Sequence, residues 1–170
     1  MTPFYLVDSD VLIRSKNDHY AFDFCPGFWD WLIQMNAAGR VFSVEAVLHE
    51  LRKGKDDLAA WVRGSGAPMF LEPDADCVRS FGEISTWVRA CGDYDEAACN
   101  EFLQKADYFL VGHALAHGGT VVTHEVRSNS RKRVKIPDAC DAMGVRQVSV
   151  WDMLRETGAC FVAGAATVSV

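Results

Sequence analysis

The chain has 170 residues, 49% of them apolar and 24% charged, a balance that fits one globular domain with a sizeable core. A formal net charge of −6 excludes a protein that coats nucleic acid indiscriminately, so any such binding must sit in local patches. There is no apolar run of the roughly 18 residues a membrane span requires, and the N-terminus lacks the basic region and long apolar core of a signal peptide. The six scattered cysteines contain no C-x-x-C pair, which argues against a zinc knuckle or a secreted disulfide framework. They read as buried thiols of a cytoplasmic protein.

In chain order, FYLV reads as a strand buried on both faces, ending in Asp8-Ser9-Asp10 before the apolar pattern resumes as Val11-Leu12-Ile13. Arg14–Tyr20 is polar and reads as a loop. PGFWDWLIQMNAAG has a helical pattern with Pro26 at its start and Gly39 at its close. Arg40–Val44 reads as a short strand, with Ser43 expected to cap the helix VEAVLHELRKG that Gly54 ends. Asp56 or Asp57 starts another short helix, Gly64–Pro68 is a break, and MFLEP a brief edge segment. Residues 75–91 and 95–105 read as two amphipathic helices. Asp107 opens the more apolar helix YFLVGHALAHG, TVVT is a strand ending in His124-Glu125, and RSNSRKRVK is a basic segment. A short helix reaches Met143-Gly144, Val148–Val150 is a candidate last strand, and Trp151–Glu156 a closing helix. Strands alternating with helices at this spacing predict a three-layer α/β domain with a mainly parallel central sheet flanked by helices. The apolar tail 157–170 admits three readings: an edge strand, a partner-binding strand or a disordered extension.

Four acids share an apolar setting at the end or start of an element. Asp8 ends the first strand, Glu50 shares a helix face with Ala46 and Val47, Asp107 lies on the side of Val111 and Ala114, and Glu125 follows TVVT. Glu45 points away from the Glu50 face. Each acid has an ordinary alternative: Asp107 as a cap, Glu50 on a solvated face, Asp8 in a turn, Glu125 in an ion-pair network with the arginines that follow. If all four reach one crevice at the strand ends, their mutual repulsion calls for a cation. Oxygen-only ligands favour Mg²⁺ or Mn²⁺, whose bound water suits phosphodiester hydrolysis.

The segments YLVDSDVLI, SVEAVLHEL, KADYFLVGHALAHGGTVVTHE and KIPDAC, in this order and spacing, resemble the PIN-domain ribonucleases, and more closely the PIN-like group related to bacterial toxin–antitoxin nucleases. The resemblance implies a PIN-like nuclease domain over residues 1–156. It places the family's acidic positions on Asp8, Glu50, Asp107 and Glu125, with Thr123 as the supporting hydroxyl, and implies that these five are catalytic and the four acids metal-holding. Two positions depart from the pattern. Asp10 stands where the family has asparagine or serine, adding negative charge near the site or turning outward. Glu125 replaces the commoner aspartate, its extra methylene shifting metal contact toward a water-mediated one.

Five basic residues, Arg127, Arg131, Lys132, Arg133 and Lys135, follow Glu125 and are candidate RNA-backbone contacts; Arg52, Lys53 and Lys55 follow Glu50. His113 and His117 have i,i+4 spacing but lack the glutamate of H-E-x-x-H, and read as packed or surface histidines. His124 lies near enough to meet a phosphate. Asp138 and Asp141 are candidates for supporting the site from outside or, for Asp138, a helix cap. The five tryptophans read as core or interface aromatics rather than a base-stacking stripe. The expected function is a metal-dependent endoribonuclease with RNA, a small antitoxin protein and a second copy of itself as partners, and no membrane. The alternatives are a metal-dependent phosphatase or nucleotidase with Asp8 as nucleophile, and a non-catalytic nucleic-acid-binding module.

Overall fold

Tyr5, Leu6 and Val7 are fully buried, and the uninterrupted apolar run they belong to forms β1 (Tyr5–Val7), the central strand of the sheet. The computed structural model describes residues 3–162. Beside β1 stand β2 (Val41–Val44), β3 (Phe70–Leu71), β4 (Thr120–Val122) and β5 (Gln147–Val148), in the order β3-β2-β1-β4-β5. Every pairing is parallel, with Tyr5 opposite Val41 on one side and Thr120 on the other. Parallel strands need crossovers, which the helices supply. These are α1 (Ser9–Arg14), α2 (Pro26–Ala37), α3 (Glu45–Leu51), α4 (Asp57–Arg63), α5 (Ala75–Ala90), α6 (Glu96–Phe102), α7 (Ala106–His117), α8 (Ile136–Met143) and α9 (Val150–Glu156). The result is the expected three-layer α/β architecture, its central sheet wholly parallel among the described residues.

The strand order positions the site. From β1 the chain builds outward through β2 to β3, then returns to place β4 and β5 on the other side of β1. The direction therefore reverses between β1 and β4, and a crevice opens there at the carboxyl ends of the strands. α2 buries Phe28, Trp29, Trp31 and Leu32, and Trp61 is also in the core, as read for the tryptophans. Each such side chain stabilises the fold by about 1.5–3 kcal/mol relative to exposure. α7 packs against α3, α5, α8 and three strands. Its Gly112 is required by that packing, since a Cβ there would stand 2.3 Å from the Phe81 ring of α5. Gly118, at φ +68°, ends α7 in the left-handed conformation.

Several local expectations change. Arg14–Tyr20 is not a loop: α1 runs through Arg14 and continues as a π-type turn over Ser15–His19, closed by the Tyr20 amide donating to the Ser15 carbonyl at 2.8 Å. Val11, Leu12 and Ser15 form the buried side, so the polar outer side misled the reading. Ser43 does not cap α3. It lies inside β2, and its hydroxyl donates to the Val7 carbonyl at 2.7 Å, clasping the end of β1. The last strand is Gln147–Val148 rather than 148–150, because Ser149 and Asp152 form a reciprocal capping box that starts α9 at Val150. Of the apolar tail, Phe161 packs near Tyr20, Phe28 and Trp31, while residues 163–170 lie outside the described residues. Cys77, Cys99 and Cys140 are buried as expected, but Cys160 is exposed. No helix among the described residues is long and apolar enough to cross a membrane.

Candidate functional site

Asp8 occupies the N-cap position of α1, yet its carboxylate caps nothing. It is 3% exposed, accepts from the Thr123 hydroxyl at 3.2 Å, and takes a long 3.4 Å contact from the Ser9 hydroxyl. The Thr123 bond crosses the switch point from the end of β4 to the end of β1. Thr123 Oγ1 in turn accepts from the Glu125 amide at 3.0 Å, so one hydroxyl orients two acids. Burial, and then the charge of Asp107, push the Asp8 carboxyl up to about 7.

Asp107 does not cap α7, because Lys105 holds that position and Asp107 sits inside the first turn. Burial, followed by the charges of Glu125 and Glu50, raises its carboxyl to about 6. Glu50 is exposed, as its solvated-face alternative has it, and also lines the same cleft, while Glu45 lies outside the cleft and pairs with His49. Asp8, Glu50, Asp107 and Glu125 thus converge on one cleft of about 500 Å³, and Asp10 joins them.

Glu125 differs from the other acids. Its Oε1 accepts from Arg133 at 2.9 Å and Lys135 at 3.0 Å, and its Oε2 from the Ile136 amide at 2.8 Å. The ion-pair network weighed for Glu125 therefore exists. Lys105, the third base lining the cleft, pairs with Glu101. Five carboxylates against three basic groups leave a formal excess of two negative charges, carried by acids without a cationic partner. Among the described residues no three of these carboxylates bring oxygens within 4.8 Å of one another. An all-oxygen donor set this widely spaced fits a hydrated hard cation held through one or two carboxylates and several waters.

The basic segment is largely engaged with the protein itself. Arg127 pairs with Asp141 at 2.8 Å and Arg131 approaches Asp95 at 3.7 Å, while Lys132 is exposed with no ion pair among the described residues. Arg52, Lys53 and Lys55 are exposed beyond α3. Asp138 and Asp141 do not join the cleft. They line a separate cavity beside the basic segment, where Asp138 accepts from the Ser128 amide at 3.3 Å. His124 lines the cleft, its basicity lowered by burial and then by the charge of Arg14.

His113 is buried, its Nδ1 against the Phe109 carbonyl at 2.9 Å, and does not work with His117 as an i,i+4 pair. His117 instead meets residues of α5. Its Nε2 lies 3.1 Å from Asp74 Oδ2 and 3.6 Å from Cys77 Sγ. Among the described residues these three form the one group with metal-binding donor atoms all within 4.8 Å of each other. Sequence reasoning missed it because the partners are 40 residues apart and belong to no spaced motif. Ser43 was also missed as a positioning residue; the sole signal is a hydroxyl inside the apolar run VFSV.

The same three-layer fold is found in solved structures. FitAcB from Neisseria gonorrhoeae superposes with a TM-score of 0.54 at 19% identity, over 87% of this chain and 99% of that one. FitAB bound to an IR36 DNA fragment gives 0.52 at 16% identity, over 87% and 96%. VapBC2 from Rickettsia felis, bound to a DNA fragment from its promoter, gives 0.50 at 12% identity, over 86% and 98%. At these identities the likeness is one of fold. No curated protein matches the sequence. The profile of DUF4411, a domain of unknown function, matches residues 5–161, and the chain belongs to that family.

Proposed function

We propose that the chain is a metal-dependent endoribonuclease that hydrolyses phosphodiester bonds of RNA, and the toxin of a toxin–antitoxin pair. One observation carries this reading: Asp8, Glu50 and Asp107 come from β1, α3 and α7 into one cleft whose basic groups are already engaged by Glu125 and Glu101. Asp8, Glu50, Asp107 and Glu125 would hold Mg²⁺ or Mn²⁺ between them. When bound, the cation supplies an activated water and offsets charge on the transferring phosphoryl group.

The chain's own residues supply the rest. Thr123 fixes the rotamer of Asp8, and Ser43 fixes the strand end from which Asp8 projects. Glu125 keeps Arg133 and Lys135 at the wall of the cleft, where they meet phosphate oxygens without collapsing onto Asp8 and Asp107. The pairs Arg127–Asp141 and Arg131–Asp95 are exposed, and exposed pairs contribute only about 0–1 kcal/mol, so exchange for RNA phosphates is cheap. The shared fold with FitAB and VapBC2 supports a protein partner, here a small antitoxin, and self-association into a homodimer is proposed beside it. A basic side chain of that partner, inserted among the uncompensated acids, closes the cleft.

The test is cleavage of single-stranded RNA by the purified chain with Mg²⁺ or Mn²⁺, against the same protein in chelator. Internal cleavage that requires the cation and is lost in Asp107→Asn supports the reading. RNA binding without cleavage favours a binding module. A phosphoaspartate mimic bonded to Asp8 favours a phosphatase, a chemistry that needs a lysine over the site, whereas Lys105 is engaged by Glu101.

A further inference from the structure

The chain carries a second group of metal-binding donors, at the far end of α7 from the cleft. Asp107 and His117 are ten positions apart on α7, about 15 Å along a helix axis at 1.5 Å per residue. α5 and α7 pack so that the start of one meets the end of the other. Gly112 lies tight under Phe81, and a turn further on Cys77 faces His117. Asp74 is the N-cap of α5: its Oδ1 accepts from the Cys77 amide at 2.9 Å, which leaves Oδ2 turned toward His117.

We infer that Asp74, Cys77 and His117 form a zinc-binding site, separate from the acidic cleft, that ties the start of α5 to the end of α7. The donor chemistry selects the ion: thiolate, imidazole and one carboxylate suit Zn²⁺ and disfavour Mg²⁺ and Mn²⁺. The spacing fits as well. Zinc bonds of about 2.3 Å to sulfur and about 2.0 Å to nitrogen, at a tetrahedral angle, separate those two atoms by roughly 3.6 Å. Cys77 Sγ and His117 Nε2 are 3.6 Å apart. Cys77 forms a buried floor, while the His117 and Asp74 side chains are 36% and 55% exposed, so an ion enters from the solvent side. The carboxyl end of α7 also favours a cation.

A second feature marks where the fourth zinc position faces. Asp74 and His117 line a cavity of about 370 Å³ whose other walls include Leu6, Phe42 and Leu71. Buried His113 lines the same cavity, and its Nε2 has no hydrogen-bond partner among the described residues. Three protein ligands leave one position for water or a small external donor. That position opens toward the polar end of this cavity, which Glu72 also lines.

Cobalt(II), which reports thiolate ligation by an intense near-ultraviolet band, tests the site in the reduced full chain. One equivalent of Co²⁺ should give that band, and Zn²⁺ should discharge it. The band should vanish in Cys77→Ser and in His117→Ala. Asp74→Asn, which keeps the helix cap but not the charge, should weaken binding on the order of 10-fold or more. An Asp8→Asn, Asp107→Asn double variant should keep the band, since its cleft is elsewhere. Absence of the band in the folded wild-type chain, or its survival in His117→Ala, overturns the inference. Should Cys77→Ser fail to fold, His117→Ala decides, because that ring is partly exposed.

Discussion

Asp107 and Glu125 line the same cleft, and the protein surrounds them in opposite ways. Glu125 has both oxygens occupied, by Arg133, Lys135 and the Ile136 amide. Asp107 has no capping role, no ion pair among the described residues, and a carboxyl held up at about 6 by burial and by its acidic neighbours. Asp8 shares that condition more deeply, at about 7, with the Thr123 hydroxyl as its one close donor among the described residues. A partnered buried acid is part of the scaffold, and removing it leaves basic groups and an amide without their acceptor. An unpartnered buried acid costs stability, and that cost persists where a ligand offsets it. The contrast separates what holds the cleft from what the cleft is for.

The largest effect expected from this contrast is on activity. Asp8→Asn or Asp107→Asn should reduce cation-dependent RNA cleavage by at least about 100-fold. Metal-free thermal stability at pH 8 should hold or rise, since each change removes a buried charge repelled by its neighbours. Glu50→Gln should act in the same direction, whereas Glu45→Gln should be nearly silent in both assays. Cleavage and melting curves on the same preparations check the four variants together.

The next effect is on stability against pH. Asp8 and Asp107 bind protons more tightly in the folded chain than in the unfolded one, where an aspartate titrates near about 3.9. Between those limits the folded state holds more protons, so stability falls as pH rises. In chelator the melting temperature should therefore decline from about pH 4 to about pH 7 through these two groups. Replacing both with asparagine should flatten that decline, and Mn²⁺ should offset it near pH 7. An unchanged slope in the double variant would remove the physical basis for treating the two acids as uncompensated.

Glu125→Gln should behave in the opposite sense to Asp107→Asn. Loss of its charge from between Arg133, Lys135 and the Ile136 amide should destabilise the fold by about 1–2 kcal/mol, read by denaturant unfolding. The smallest effect belongs to Lys132. Having no ion pair among the described residues, Lys132→Ala should leave stability alone and lower the salt slope of RNA binding by about 1 or less.

Much of this was legible in the sequence because it depends on periodicity. The run FYLV announces a strand buried on both faces, and acids at the ends of such runs mark the crevice. Asp8, Glu50, Asp107 and Glu125 could be singled out because each sits in an apolar setting. What was not legible depends on distance in three dimensions. The sequence around Glu125 admits bases that fold back onto it and bases that reach outward, and only the fold decides that Arg133 and Lys135 pair with it. Ser43 reads locally as a cap, and only its register in β2 turns its hydroxyl to Val7. His117 finds its partners 40 and 43 residues away, on α5.

The most direct measurement is Mn²⁺ binding followed by electron paramagnetic resonance in the wild-type chain, Asp107→Asn and Glu125→Gln. The account predicts that the wild-type cleft takes up Mn²⁺, that Asp107→Asn loses most of that affinity, and that Glu125→Gln, once folded, keeps most of it. Equal Mn²⁺ binding by the wild-type chain and Asp107→Asn would contradict the claim that the unpartnered acids of this cleft hold a divalent cation.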